Sequence, residues 1–146
     1  MDDYEDMRSI MDYVDSTEQT DDSEIALLTF VDNSIFLEAQ GHHWHLQCKY
    51  YSKHMELDEF YKEFPEFVDS FVEGLMNNRG TLPIGMDSQY VFQPLEEAVG
   101  TLEQYVSQAK YIHELLESQE DYGSVNSLED IISFVERTLY KLKHLQ

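Results

Sequence analysis

Cationic side chains are scarce in this chain, which has 9 lysines and arginines against 30 aspartates and glutamates and a formal net charge of −21. Such a surface repels the phosphates of nucleic acids and the headgroups of anionic lipids. We therefore expect no direct binding to DNA or to a membrane. A surface of this sign attracts cations instead.

Cysteine is almost absent as well, since Cys48 is the only one among 146 residues. A single cysteine forms no internal disulfide, which favours a reducing compartment, and we predict a cytoplasmic protein. No apolar run approaches the roughly 18 residues of a membrane span, and the acidic N-terminus lacks the hydrophobic segment of a secretion signal. Hydrophobic residues nevertheless make up 42% of the chain, enough for one packed domain.

Apolar residues recur at helical spacing over most of the chain, and no stretch alternates as a strand does. The pattern predicts four helices, over about 23–48, 51–78, 95–120 and 127–144. Residues 80–94 contain two glycines and two prolines, which indicates a long connection between the second and third helices. We therefore predict an all-α fold, a ferritin-like four-helix bundle with one long crossover connection between helices two and three.

Several residues are expected to begin or interrupt these helices. The N-cap of the first helix is predicted within residues 21–23, which are all good capping residues. Pro65 lies inside the second helix and is expected to kink or break it, because proline lacks the amide hydrogen and clashes with the preceding turn. Gly123 is expected to end the third helix, and Ser127 with Asp130 resembles a capping box for the fourth.

The first 22 residues contain nine acids and one arginine. We therefore divide the chain into an acidic segment over residues 1–22 and a bundle domain over residues 23–146. The acidic segment is either a solvated tail or a short docking helix, because four apolar residues within it follow helical spacing. These are Met7, Ile10, Met11 and Val14.

A set of candidate metal ligands, with one flanking tryptophan, lies between residues 43 and 73. The set is His43, Trp44, His54, Asp58, Asp69 and Glu73. Two pairs within it are four residues apart, so each pair lies on one face of a helix. Imidazoles and carboxylates are ligands that suit iron and similar divalent metals.

The length of the second helix limits what these residues can do together. A rise of about 1.5 Å per residue separates His54 from Glu73 by about 30 Å, so one ion cannot contact both. The two pairs therefore serve different sites, or they meet across a two-fold interface between two chains. In such a dimer the end carrying His54 on one chain faces the end carrying Glu73 on the other.

This arrangement resembles the Dps family of mini-ferritins over about residues 24–80. The resemblance implies an iron-oxidising centre at the two-fold interface, with three ligands from one chain and two from its mate. The first three would be His43, His54 and Asp58, and the other two Asp69 and Glu73, with Trp44 beside the centre. It also implies a ferroxidase that oxidises Fe(II) to Fe(III) with peroxide or dioxygen, stores iron in a hollow cage, usually of twelve subunits, and protects against peroxide. The basic N-terminal arm with which many members bind DNA is replaced here by an acidic segment, which argues against that role.

Two alternatives remain open from the residues alone. His42, His45 and Cys48 fan over one side of the first helix and offer a rival site that would suit zinc or copper. The other alternative is a ferritin-like structural or binding module with a degenerate metal site and an acidic segment that engages a partner. Pro65 favours this second alternative, because it interrupts the helix that carries both ligand pairs.

Overall fold

A computed structural model describes the backbone of residues 3–81 and 89–145, and the side chains of residues 22–81 and 89–145. Four helices occupy most of these residues: α1 (Asp3–Gln47), α2 (Tyr51–Arg79), α3 (Ala98–Ser118) and α4 (Tyr122–His144). A single 3₁₀ turn, Leu95–Glu97, precedes α3. The described ranges contain no strand, so the predicted all-α class is confirmed. None of the described helices combines the length and the apolarity that crossing a membrane requires.

The core is built largely from aromatic and leucine side chains that the helices bury against one another. Phe60 and Phe64 of α2 stack on each other, and both stack on Phe134 of α4. Phe30 of α1 meets Tyr105 of α3 in a second stack, with ring centroids 5.1 Å apart. Each buried side chain of this size contributes roughly 1.5–3 kcal/mol through the removal of apolar surface from water.

Helices α1 and α2 pack closely along a line that we call the α1–α2 seam. Gly41 of α1 lies directly against Phe60 of α2, where a Cβ atom at position 41 would be 2.6 Å from the phenyl ring. The absence of a side chain at this position lets the two backbones approach. The same approach brings the last turn of α1 against the first turns of α2.

The helix ends meet in two groups. Arg79, at the end of α2, donates hydrogen bonds to Asp121 and Gln119 in the turn between α3 and α4. The residues that begin α3 instead line a cavity together with Cys48 and Tyr50 of the turn between α1 and α2. Thus α2 ends beside the turn between α3 and α4, and α3 begins beside the turn between α1 and α2.

The predicted break at Pro65 is absent, and the predicted helix boundaries at Gly123 and Ser127 are wrong. Helix α2 runs unbroken through Pro65, whose neighbours Phe64 and Val68 are buried and hold the helix against the core. Helix α4 begins at Tyr122 with Asp121 as its N-cap, so Gly123 lies in its first turn and Ser127 within it. Proline removes one backbone hydrogen bond, and the packing on either side offsets that loss.

The predicted start of α1 is also wrong, because the helix begins at Asp3 rather than after residues 21–23. Residues 3–22 contain neither glycine nor proline, so nothing in the backbone chemistry of this stretch ends a helix. The boundary after residue 22 is therefore not a helix boundary. The side chains of Met7, Ile10, Met11 and Val14, which suggested a docking helix, lie outside the described residues.

Candidate metal site

Two histidines face each other across the α1–α2 seam. The Nδ1 atom of His54 donates to the main-chain oxygen of His45 at 2.9 Å, and Nδ1 of His45 donates to the main-chain oxygen of His54 at 3.2 Å. A carbonyl oxygen only accepts hydrogen bonds, so both Nδ1 atoms carry a hydrogen. In the neutral rings each Nε2 atom therefore keeps a free lone pair, which is the tautomer a metal ligand needs.

Asp58 lies one helical turn after His54 and belongs to the same group. Its Oδ1 atom is 3.7 Å from Nε2 of His45, and its Oδ2 atom accepts a hydrogen bond from Lys62 at 3.0 Å. This hydrogen bond lowers the pKa of Asp58, so the carboxylate is ionised at neutral pH. We call His45, His54 and Asp58 the histidine–aspartate cluster.

His43 and Trp44 face the segment that leads into α3 instead. The ring of His43 stacks on Phe92 with centroids 4.5 Å apart, and its Nδ1 atom is buried with no hydrogen-bond partner among the described residues. Trp44 is fully buried, and its Nε1 atom donates to the main-chain oxygen of Gln93 at 2.9 Å. Positions 43 and 45 are about 200° apart around a helix, so only one of them can face α2.

Asp69 and Glu73 lie farther along α2, and both are exposed. Neither has a hydrogen-bond or ion-pair partner within the part of the chain that the structure describes. Burial, and then repulsion from Asp69, raise the pKa of Glu38 on α1, which places a second carboxylate beside Asp69. Asp69 is 15 residues from His54, or about 22 Å along the helix. The two ligand pairs therefore occupy separate places along α2.

One chain does not assemble a complete metal site from its described residues. No three histidine, cysteine, aspartate or glutamate side chains among them surround a point that could hold a metal ion. The rival set does not converge as a whole: the rings of His42 and His45 lie 6.2 Å apart, but His42 stacks on Tyr61, and the Cys48 thiol is buried and directed at the main-chain oxygen of Tyr50. The histidine–aspartate cluster supplies at most part of a coordination shell.

Residues 45–142, about two-thirds of the chain, match the sequence pattern of one protein family. The chain belongs to the family of unknown function DUF5856. No curated protein and no solved structure matches it. The segment that matches DUF5856 begins at His45, so it contains the whole histidine–aspartate cluster together with Asp69 and Glu73. His43 and Trp44 precede it.

Two residues near the candidate ligands of this DUF5856 protein were not predicted to lie with them: Lys62 was not singled out, and His45 was assigned to the rival set with His42 and Cys48. Lys62 had a readable signal, because an acid followed four residues later by lysine commonly forms an ion pair on a helix. For His45 the signal was its position around the helix axis. Glu38, Gly41 and His45 are three and four residues apart, so they lie on the same side of α1. The close approach of Gly41 to Phe60 shows that this side faces α2.

Proposed function

We propose that this protein is a Dps-like mini-ferritin that binds Fe(II), oxidises it at a site completed by two chains, stores the iron and limits damage by peroxide. The observation that carries the proposal is the placement of His54 and Asp58 one turn apart on the same face of α2. The His54 ring is held in the tautomer that leaves Nε2 free, and an ionised carboxylate lies one turn away. Iron is the substrate and cargo in this proposal.

The order of the helices supports a ferritin-like bundle. Arg79 at the end of α2 pairs with Asp121 at 2.7 Å, beside the turn between α3 and α4. Helix α3 begins beside the turn between α1 and α2. The end of α2 and the start of α3 would then lie at opposite ends of the bundle, as they do on either side of the long crossover connection of ferritin-like proteins.

A site shared by two chains would account for the separation of the ligand pairs. Even the nearest members of the two pairs, Asp58 and Asp69, are separated by about 16 Å along α2, which is too far for one ion. An isologous two-fold dimer would bring the first pair of one chain to the second pair of the other, and would do so twice. Assembly of such dimers into a cage of twelve subunits belongs to the same proposal.

Such a site would perform one reaction, the oxidation of Fe(II) to Fe(III). Neutral imidazole and carboxylates would hold Fe(II) while leaving positions open for peroxide or dioxygen. Each Fe(II) loses one electron, so two ferrous ions and two protons convert one hydrogen peroxide to two water molecules. The net charge of −21 would draw ferrous ions towards the protein.

Stopped-flow absorbance of Fe(III) after peroxide or dioxygen is added to the ferrous protein tests this proposal. We expect Asp58→Asn and Glu73→Gln each to lower the initial rate by about tenfold or more, since each removes a ligand. Glu63→Gln, which alters another exposed acid of α2, is the matched control and should leave the rate unchanged. Oxidation by the unaltered protein at the rate of buffer alone would refute the proposal.

One observation favours the alternative of a ferritin-like structural or binding module with a degenerate site. The Lys62 ammonium already occupies one side of Asp58 at 3.0 Å, where a metal would otherwise bind. In that case Fe(II) would leave the Asp58–Lys62 pair intact, and the acidic N-terminal segment would be the part that engages a partner. Light scattering separates the two proposals, because a monomer or a simple dimer supports the module and a dodecamer supports the cage.

A further inference from the structure

We propose that the acidic segment of one chain docks onto the opposite end of a second copy, at a surface that we call the basic end. This surface is formed by the turn between α1 and α2 and by the last turn of α4, which line one cavity together. Its cations are Lys49, Lys53, Lys141 and Lys143. The contact joins chains head to tail, and it depends neither on metal binding nor on iron oxidation.

The first support is the length of α1. Phe30 of α1 meets Phe71 of α2 with ring centroids 5.8 Å apart, and α2 ends eight residues later at Arg79. Because the two helices run in opposite directions, α2 ends level with about residue 22 of α1. The helical backbone of residues 3–21 therefore projects beyond the end of α2 by about 28 Å.

The second support is the composition of the acidic segment. It contains nine acids and one arginine. Met7, Ile10, Met11 and Val14 are spaced three and four residues apart, which places them on one face of the helical backbone. Most helices in proteins are stabilised by the packing of such a face. The surface that fits this segment therefore combines cations with apolar side chains.

The basic end supplies the cations. Its four lysines are a large share of the chain's nine lysines and arginines. Lys141 and Lys143 each pair with one glutamate of the same chain and remain 46% and 49% exposed. Lys49 and Lys53 have no ion-pair partner among the side chains that the structure describes. These two lysines are therefore available to the carboxylates of a second chain.

The basic end also exposes apolar surface. Tyr50 and Tyr51 are 69% and 79% exposed, and exposed aromatic side chains beside one another are typical of interaction surfaces. A cavity of about 290 Å³ lies next to them. The side chains that line it include Lys53, Leu57, Leu95, Glu96, Val99 and Leu142. An apolar side chain from a docked helix would enter this cavity.

The two complementary surfaces lie at opposite ends of the same chain. Helix α1 is continuous from Asp3 to Gln47, so the middle of the acidic segment is about 50 Å from the basic end of its own chain. The occupant is therefore a second copy. Such a head-to-tail contact closes into a ring where its rotation allows, and otherwise continues as a filament.

Carbodiimide coupling of the full-length protein tests the contact, because it joins a lysine amine to a touching carboxylate with loss of water. Chains labelled with ¹⁴N and ¹⁵N are mixed in roughly 1 M salt, which screens the contact, and are dialysed together before coupling. We expect peptide pairs of mixed isotope that join the acidic segment to Lys49 or Lys53. Coupling within single chains only, or of these lysines only to acids outside the segment, would overturn the proposal.

Charge reversal tests the same contact by sedimentation velocity. We expect Lys53→Glu to weaken self-association by about tenfold or more, since it places like charges opposite each other. Lys110→Glu on α3 makes the same change of net charge and is the matched control. Equal effects of the two substitutions, or no effect of Lys53→Glu, would overturn the proposal.

A rescue experiment separates lost contact from lost folding. A variant with Asp12→Lys and Asp15→Lys has the reversed charge in the acidic segment. We expect it to associate with the Lys53→Glu variant when the two are mixed, more strongly than the Lys53→Glu variant associates with itself. Failure of the mixture to associate would count against the pairing of these two surfaces.

Discussion

At the scale of single residues, Gly41 determines how closely α1 and α2 approach beside the histidine–aspartate cluster. A Cβ atom there would lie 2.6 Å from Cδ1 and 2.7 Å from Cε1 of Phe60. Phe60 is fully buried and stacked on Phe64, so its ring has no free space to enter. We expect Gly41→Ala to lower the free energy of unfolding by about 1–3 kcal/mol, measured by urea denaturation with circular dichroism.

The matched control is Gly100→Ala in α3, where an added Cβ atom meets no atom within 4 Å. Alanine is the better helix former, so this change should raise the free energy of unfolding by about 0.5–1 kcal/mol. A lower free energy of unfolding for Gly41→Ala together with a higher one for Gly100→Ala would confirm that the contact with Phe60 across the α1–α2 seam determines the effect at position 41. A stabilising effect at both positions would contradict it.

At the scale of helices, Asp121 caps α4 and joins it to the end of α2. Its carboxylate accepts hydrogen bonds from the backbone nitrogen of Ser124 and from the guanidinium of Arg79. We expect Asp121→Ala to lower the free energy of unfolding by about 1–2 kcal/mol at pH 7, because the cap and the ion pair are lost together. Ser127→Ala is the control, since Ser127 lies inside α4, and it should change stability by less than about 0.5 kcal/mol.

The effect of Asp121 should depend on pH with a definite sign. Burial raises the pKa of this carboxyl group, but the hydrogen bonds from Arg79 and Ser124 outweigh it and hold the pKa below its ordinary value of 3.8. The stabilisation is therefore complete above pH 3.8 and disappears as the pH falls through the lowered pKa. The difference between the unaltered protein and Asp121→Ala should shrink there, whereas a difference that stays constant in acid would exclude the carboxylate as its cause.

The helices also show what the sequence can and cannot predict. The second helix was predicted over 51–78 and spans Tyr51–Arg79, because a long apolar stripe reports the burial that stabilises a helix. The predicted break at Pro65 and the predicted N-cap at Ser127 were wrong. Rules based on neighbouring residues cannot compare the loss of one backbone hydrogen bond, or the gain of one weak cap, with the packing of the helix against the core. The predicted start of α1 at residues 21–23 was wrong for the same reason. Good N-cap residues mark the start of a helix only where the preceding residues are not helical, and here no glycine or proline interrupts the helix before them.

The spacing of the sequence predicted which candidate residues share a face of α2, and it did not predict which residue of α1 they meet. The spacing of His54 and Asp58 placed both on one face of α2, and the structure brings them together with His45. Spacing within α1 alone cannot tell whether His43 or His45 faces α2, because the rotation of α1 about its own axis is fixed by its contacts. The approach of Gly41 to Phe60, a contact between helices, fixes that rotation.

At the scale of the whole molecule, the net charge of −21 affects any association between chains. Two such chains repel each other over distances of about 8 Å at physiological ionic strength, and a dimer must overcome this repulsion. Divalent cations held by carboxylates of both chains would offset part of it. The proposed two-chain site would therefore link metal binding to assembly, and each process would favour the other.

Complementation between two inactive variants tests this link directly. One variant carries His54→Asn with Asp58→Asn, and the other carries Asp69→Asn with Glu73→Gln, so neither alone contains a complete site. Co-expressed chains that pair at random would form half mixed dimers, each with one intact site of its two. We expect roughly a quarter of the Co(II) sites of the unaltered protein to return, together with a matching share of Fe(II) oxidation. If both ligand pairs act within one chain, the mixture would bind no more metal than the separate variants.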